Sequence, residues 1–488
     1  MKCKLIQLIS VILIVIFAGV QVQSQDRVQV AIENPKRCNG NSGLRPVAAG
    51  EAGRAAQGRR APLATPTILI IETPFSQEEM RIMTAVWARQ RRQHNRDVQI
   101  ILARPSDVII DAAGDVFALK GRIVSDNGIP GNEFVAPEPI KASYLYGERE
   151  IVGASGITLA VPCESNAEMR QLENDKESQI ELARRAGIPT KRILDSVWDE
   201  YDYTTVDTIA RKLKHAEQAV RRFYPGRHYG HPTLYVQPVN MSKKAASCYI
   251  FGDRDIPDAA KMIFAALESE TTRKMLILDY IPSVEMQKDF FKGVSIKDKV
   301  ESNCVVNHGR VIVAYDHNSY GAVYIGPMPL YAAGIMRGKT YFKWMGITRE
   351  GEVILQTSVQ LKRFDNIDDF LPFCKKSENG EPLSQDEQRY VKERIIELAR
   401  KKAEAVIKAG CSFDILAVDY IISRNPDRNG LPTPYFIECA SHFSSELVTL
   451  KEIHFDIAYK RALQYKNATG AIPLCATLNV TRSLLESI

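Results

Sequence analysis

Two short stretches of this 488-residue chain are apolar almost throughout, Thr67-Ile-Leu-Ile-Ile71 and Val98-Gln-Ile-Ile-Leu102. A strand with one face in water alternates polar and apolar residues, so an unbroken apolar run of this length belongs to a strand covered on both faces. Residues 76–93, between them, carry helical spacing. Strand, helix, strand in that order joins two parallel neighbours through one crossover. This predicts an α/β protein whose first domain is a small parallel sheet. Shorter segments at 107–110, 116–119 and 157–161 complete that domain, which ends near residue 165.

Downstream the pattern continues as a mixture of helices and strands. A helix over 175–186 is closed by Gly187-Ile-Pro-Thr190, glycine just past the end and proline soon after being a strong stop signal. A long helix follows over 205–222. Strands are predicted at 233–239, 246–251 and 274–281, with a helix at 257–268 between the last two. Segments 304–307 and 310–314 flank His308-Gly309 and read as a hairpin with that pair as its turn. Residues 330–385 are irregular and polar, and read as an insert. A charge-laced helix over 385–409 stops at Gly410, a strand follows at 414–423, and a polar turn at 425–434 leads to a returning strand at 435–439.

The ends and the composition bound the rest. Lys2 and Lys4, the apolar run 5–20 and the small-residue pattern Val22-Gln23-Ser24 have the layout of a signal peptide over 1–24, an uncleaved anchor being the lesser alternative for so short a run. The predicted location is therefore secreted, lumenal or periplasmic, and cytoplasmic if that N-terminus is misread. Residues 25–65 lack an apolar period and read as a flexible linker. A net charge of +6 spread over the chain is too mild to indicate nucleic acid. Arginines 89, 91, 92 and 96 read as a solvated helix face. No later stretch predicts a membrane span. Of nine cysteines, eight lie beyond the signal; evenness favours disulfides weakly, and no spacing suits zinc. Three sequons, at Asn240, Asn467 and Asn479, could accept glycans. There is no P-loop and no Gly-x-Ser-x-Gly elbow.

Three stretches resemble the ATP-grasp superfamily of carboxylate–amine ligases. Asn174-Asp-Lys-Glu and the exit Ala186-Gly-Ile-Pro189 are similar to the two ends of the helix that begins the family's central domain. Thr233-Leu-Tyr-Val-Gln-Pro-Val-Asn240 is similar to a strand of its nucleotide lobe, and Leu276-Ile-Leu-Asp-Tyr-Ile-Pro-Ser-Val-Glu285 to its interdomain hinge. Val418-Asp419 and Phe436-Ile-Glu-Cys-Ala440 resemble the strand pair whose carboxylates hold magnesium. The resemblance implies an N-terminal domain over 66–165, a central lobe over 166–281 and a C-terminal lobe over 282–488 carrying the insert at 330–385. The two lobes would enclose a nucleotide cleft.

What it implies chemically is transfer of a phosphoryl group from ATP to a small carboxylate, and capture of the acyl phosphate by an amine. Such a transfer needs cations against the triphosphate and magnesium bridging its oxygens. On this reading Asp279, Tyr280 and Ile281 meet the adenine, Glu285 accepts from the ribose, Lys243 or Lys244 approaches the phosphates, and Asp419 with Glu438 holds Mg2+ through hard oxygen ligands. His442 falls where relatives often carry arginine. The sequence departs from the family at three places: Gln237 stands where a phosphate-binding lysine is usual, the loop after it lacks glycines, and Ala440 replaces the asparagine of the metal site. A secreted, non-catalytic descendant that keeps the cleft is therefore the alternative to a working ligase.

Overall fold

The computed structural model describes residues 65–72, 77–152, 159–198, 204–223, 232–240, 247–268, 272–291, 305–317, 321–326, 328, 330–335, 358–377, 380–441 and 448–471. The signal, the linker, Lys243, Lys244, His442 and Asn479 of the sequence reading lie outside them. The chain divides into two compact units, residues 1–163 with 446–488, and residues 164–445.

In the first unit β1 (Thr67–Ile71) and β2 (Gln99–Ala103) are parallel neighbours joined by helix α1 (Gln77–Gln93), as the apolar runs predict. The sheet is completed by β3 (Val108–Ile110), β4 (Val116–Val124), β5 (Pro130–Lys141) and β6 (Tyr144–Tyr146), in the order β3-β4-β2-β1-β6 with β5 paired to β4. Strands β5 and β6 were not anticipated, and the described part of the 157–161 segment is not a strand.

One face of this sheet is covered by α1 together with the C-terminal helix Val448–Ala471, through Trp87, Phe455, Ala458 and Ala462. Residues after 446 thus group with the first unit, which corrects the reading of 282–488 as one lobe. The arginines of α1 and of the turn after it explain the grouping: Arg89 pairs with Glu452 and Arg96 with Asp456, while Arg91 meets Asp126 at 2.6 Å. What reads as a solvated face is a partner for acidic side chains far along the chain.

The second unit holds two sheets. The smaller runs β7-β10-β8-β9, from β7 (Ile193–Trp198), β8 (Leu234–Pro238), β9 (Cys248–Ile250) and β10 (Lys274–Asp279). One of its faces is covered by α4 (Val206–Phe223) and α5 (Ile256–Glu268), with Leu213, Val220 and Ile263 packed on Val236 and Ile277. Before it come α2 (Ala167–Glu173) and α3 (Lys176–Arg185), α3 ending at Gly187 with φ +68°. Ile180 of α3 packs on Leu276 and Leu278, the other face of the small sheet.

The larger sheet runs β14-β13-β11-β15-β16, from β11 (Val305–Asp316), β13 (Leu330–Ile335), β14 (Ser358–Phe364), β15 (Ile415–Pro426) and β16 (Pro432–Ala440), with β12 (Gly321–Ile325) on β11. Helix α6 (Gln385–Lys408), begun by a Ser384/Glu387 capping box, packs Val391, Ile395, Leu398 and Val406 against Val311, Val313, Val418 and Tyr420.

Two expectations fail here. His308-Gly309 is not a hairpin turn, because β11 passes straight through it and pairs with β13 and β15. Gly309 faces Tyr420 across the ladder, and a Cβ there would run into the Tyr420 ring, whose Cε2 stands 2.6 Å away. The glycine makes room for an aromatic side chain rather than bending the backbone. The described part of 330–385 is likewise not irregular: it contains β13 and β14, antiparallel to one another.

Gly309→Ala should therefore destabilise by about 2 kcal/mol, as overpacking of a filled core does. Urea denaturation reads it, and an unchanged midpoint would contradict the close approach.

Candidate functional site

The site lies where the two sheets of the second unit meet, and α3 brings them together. Asp175 caps the helix, accepting from Ser178 N at 3.1 Å, and Lys176 N donates to Val239 O at 3.1 Å, which ties the helix start to the small sheet. One turn later the buried Gln179 ties it to the large one: its Oε1 accepts from Cys439 N at 2.7 Å while its Nε2 donates to Leu172 O at 3.0 Å. Lys402 of α6, also buried, donates to Gln179 O at 2.8 Å and lies 4.2 Å from the centroid of the Phe436 ring. A side-chain amide inside a core is stable only when its polar atoms are matched, and here the matching sets where Lys176 points.

Its ammonium stands 3.2 Å from Glu438 Oε2. Burial would lower the Lys176 pKa, but the carboxylate of Glu438, with smaller help from Tyr235 and Asp419, outweighs it and the net shift is upward.

Glu438 is opposite Asp419 in the β15/β16 register, and Asp419 is opposite Arg310 in the β11/β15 register. Three adjacent strands thus line up a cation and two anions in one row. The Arg310 fork closes on Asp419, Nε to Oδ1 at 2.6 Å and Nη2 to Oδ2 at 2.8 Å, and His308 Nε2, two residues earlier on the same face, lies 3.1 Å from Oδ2. Burial alone would raise the Asp419 pKa; the hydrogen bonds from Arg310 and His308 reverse that and hold it at about 2.

Beside this row, Tyr235 and Gln237 of β8 share one face of the small sheet by strand alternation. Lys191, buried, sits 4.1 Å from the Tyr235 ring centroid. Burial first, and the charge of Lys176 second, push the Lys191 pKa down to about 7, against a smaller opposing pull from Glu438. Gln237 Nε2 is buried with no hydrogen-bond partner among the described residues. Tyr235 also packs on Tyr249 at 4.9 Å between ring centroids, and Tyr249 on Tyr280 at 5.9 Å. Tyr280, Ile281, Ile421 and Ile437, with Tyr249 and Phe251 against them, form an apolar cluster fed by the ends of β9 and β10 and by both carboxylate strands. A register shift between Asp419 and Tyr420 leaves Ile437 unmatched on β16. Such a bulge re-aims side chains, here Ile437 into the cluster next to Glu438.

Of the residues singled out from the sequence, Tyr280 and Ile281 line this cluster, and Asp419 and Glu438 face one another. Asp279 is buried, with Arg192 Nη2 3.4 Å from its carboxylate. Glu285 is half exposed at the rim, with Arg424 at 3.5 Å and Lys375 at 4.0 Å. Sequence reading missed Lys191, Tyr235, His308 and Arg310 as site residues. Lys176 was within reach, since it belongs to the Asp-Lys opening on which the resemblance rests. His308 and Arg310 were hidden by the supposed hairpin.

The magnesium that the resemblance implies does not fit the side chains as they lie. Asp419 already receives three donors, Glu438 carries an ammonium, and Ala440 supplies no ligand. Among the described residues, no three carboxylate, histidine or cysteine groups converge as a metal site. The five described cysteines, Cys163, Cys248, Cys374, Cys411 and Cys439, are buried.

No family model matches the sequence, and no curated protein is similar to it. Solved structures that match include ligases of the ATP-grasp class. The VanG D-Ala:D-Ser ligase from Enterococcus faecalis is 12% identical with a TM-score of 0.41, over 82% of this chain and 99% of that one. D-alanyl-alanine synthetase A from Vibrio cholerae is 10% identical with a TM-score of 0.42, again over 82% and 99%. N5-carboxyaminoimidazole synthetase from Staphylococcus aureus is 11% identical with a TM-score of 0.38, over 81% and 77%.

Two outcomes follow from the charges. Asp419 is held below its ordinary value of 3.8, so its contribution is full above about pH 4 and is lost as the pH falls through about 2. Asp419→Asn should then cost about 2 kcal/mol at pH 7 in urea denaturation, with the two proteins converging in acid. Equal stability at pH 7 would refute the pairing. Lys191 behaves oppositely: the unfolded chain takes up its proton near 10.5, whereas the buried amine does so only near 7. Lys191→Met should raise the melting temperature, the gain growing as the pH falls from 10.5 to about 7 and levelling off below. A scan in which the substitution destabilises at pH 7 would sink this account.

Proposed function

We propose that this chain is a diverged ATP-grasp ligase whose two-sheet unit binds an adenine nucleotide, the base in the Tyr249, Phe251, Tyr280 and Ile281 cluster and the phosphates against Lys176 and Lys191. One observation carries the reading: an apolar aromatic patch and the buried Lys191 are joined through a single side chain, Tyr235, which packs on Tyr249 and on the Lys191 ammonium, with the charge of the half-buried Lys176 beside them. A nucleotide is itself an apolar ring joined to a polyanion, and it needs that succession of surfaces. Buried lysines are costly to a fold, and a site that keeps them near an opposite charge is a candidate for function.

On the ligase reading the γ-phosphoryl passes to a small-molecule carboxylate, and an amine displaces phosphate from the acyl phosphate. Lys176 and Lys191 would neutralise charge on the phosphates, the part of the work that positioning and electrostatics perform in such transfers. Lys243 and Lys244, which lie between β8 and β9 in the sequence, would add to them. The second reading, a non-catalytic descendant that binds nucleotide alone, is favoured by Gln237 in place of a lysine and by the Arg310 fork on Asp419.

ATP should raise the melting temperature as RT ln(1 + [L]/Kd), and Lys176→Met should weaken its affinity about tenfold. ADP release with a panel of amino acids and small acids then separates the two readings. No thermal shift at millimolar ATP under any buffer condition would remove the nucleotide reading.

A further inference from the structure

The charge row across the large sheet is not what a site waiting for a dication needs. Such a site keeps carboxylates without cationic partners, so that a divalent ion brings a net attraction and finds open oxygens. Here Asp419 is matched by Arg310 and Glu438 by Lys176, two anions against two cations. A metal at Asp419 would have to displace a bidentate guanidinium from a carboxylate that is 3% exposed. Separating a buried pair in this way is strongly unfavourable.

Exposure sets the order of the layers. The side chains of Arg310 and His308 are 38% and 24% exposed, so they cover the carboxylate that they bind. A ligand arriving over Asp419 meets guanidinium and imidazole before it meets that acid, and Lys176 and Glu438, 15% and 20% exposed, are met side by side. That surface attracts phosphate oxygens directly, and a planar guanidinium suits them.

We infer that Arg310, with Lys176, takes the place of the divalent cation, so that the junction binds a nucleoside polyphosphate without magnesium, its phosphates held by side-chain cations. The inference rests on the nucleotide-binding reading above. Asp419 then acts as a positioning residue that holds the Arg310 fork, and not as a metal ligand.

Calorimetric titration of the full chain with ATP, once in EDTA and once in excess MgCl2, tests it. ATP should bind in EDTA at least as tightly as in magnesium. Arg310→Met should weaken the EDTA affinity about tenfold, while Arg310→Lys, which keeps the cation, should retain magnesium-independent binding if the methionine variant fails to fold. Asp419→Asn, which loosens the hold on the Arg310 fork, should weaken ATP binding to the same degree in EDTA and in magnesium, whereas loss of a metal ligand would weaken it in magnesium alone. Binding that appears only with magnesium and disappears in Asp419→Asn would overturn the inference and leave the nucleotide reading standing. An unchanged affinity in Arg310→Met would overturn the role given to Arg310. Absence of binding in both buffers would bring down the nucleotide reading and the inference with it.

Discussion

A carboxylate cannot stay ionised inside a sheet unless something positive is held against it, and Asp419 makes that demand on everything around it. Its charge is met by the Arg310 fork and by His308, both on β11. For that pairing to exist, β11 must run through Gly309 without turning, because the two partners of Asp419 lie on either side of it. Gly309 in turn must lack a side chain, because the Tyr420 ring occupies the space. The same register that sets Arg310 opposite Asp419 on one side leaves Glu438 opposite it on the other. Backbone pairing, one glycine and one aromatic ring therefore decide where Arg310, His308, Asp419 and Glu438 stand.

The second constraint is the docking of α3. Gln179 and Lys402 are polar groups in a core, and each is satisfied only if α3, α6 and β16 keep one mutual position. Their matching fixes the start of α3, and so the distance between Lys176 and Glu438. Among the described residues Lys191 has no comparable anionic partner at hydrogen-bond distance; its burial depresses its pKa and costs stability. A fold optimised for stability alone would place an apolar residue there. Under the nucleotide-binding proposal, its place beside Tyr235 is the cost of an amine at a binding surface.

Local periodicity carried much of the fold into view. The runs at 67–71 and 98–102 are apolar on both faces because both faces are covered, and they are β1 and β2. Proline and glycine at 187–189 end α3 where the residue types require it. Strand β7, by contrast, reads Ile-Leu-Asp-Ser-Val-Trp, with a polar pair at its centre and most of its side chains only half buried. It is a strand because β10 pairs with it, and no period announces that. The His308-Gly309 pair has ordinary turn chemistry, and only the ring of Tyr420, more than a hundred residues away, gives the glycine another reason to be there.

By itself, then, the sequence determined the α/β class and most helix ends, and its resemblance to a strand pair bearing two carboxylates anticipated Asp419 and Glu438 on neighbouring antiparallel strands, while their register was left to the fold. Tertiary structure decided what those carboxylates face. Arg310, Lys176 and Lys191 reach the junction from three separate elements, and the C-terminal helix leaves the second unit for the sheet of the first. Side-chain partners of that kind depend on distances through space between residues far apart along the chain, and those distances are set by packing and not by local pattern.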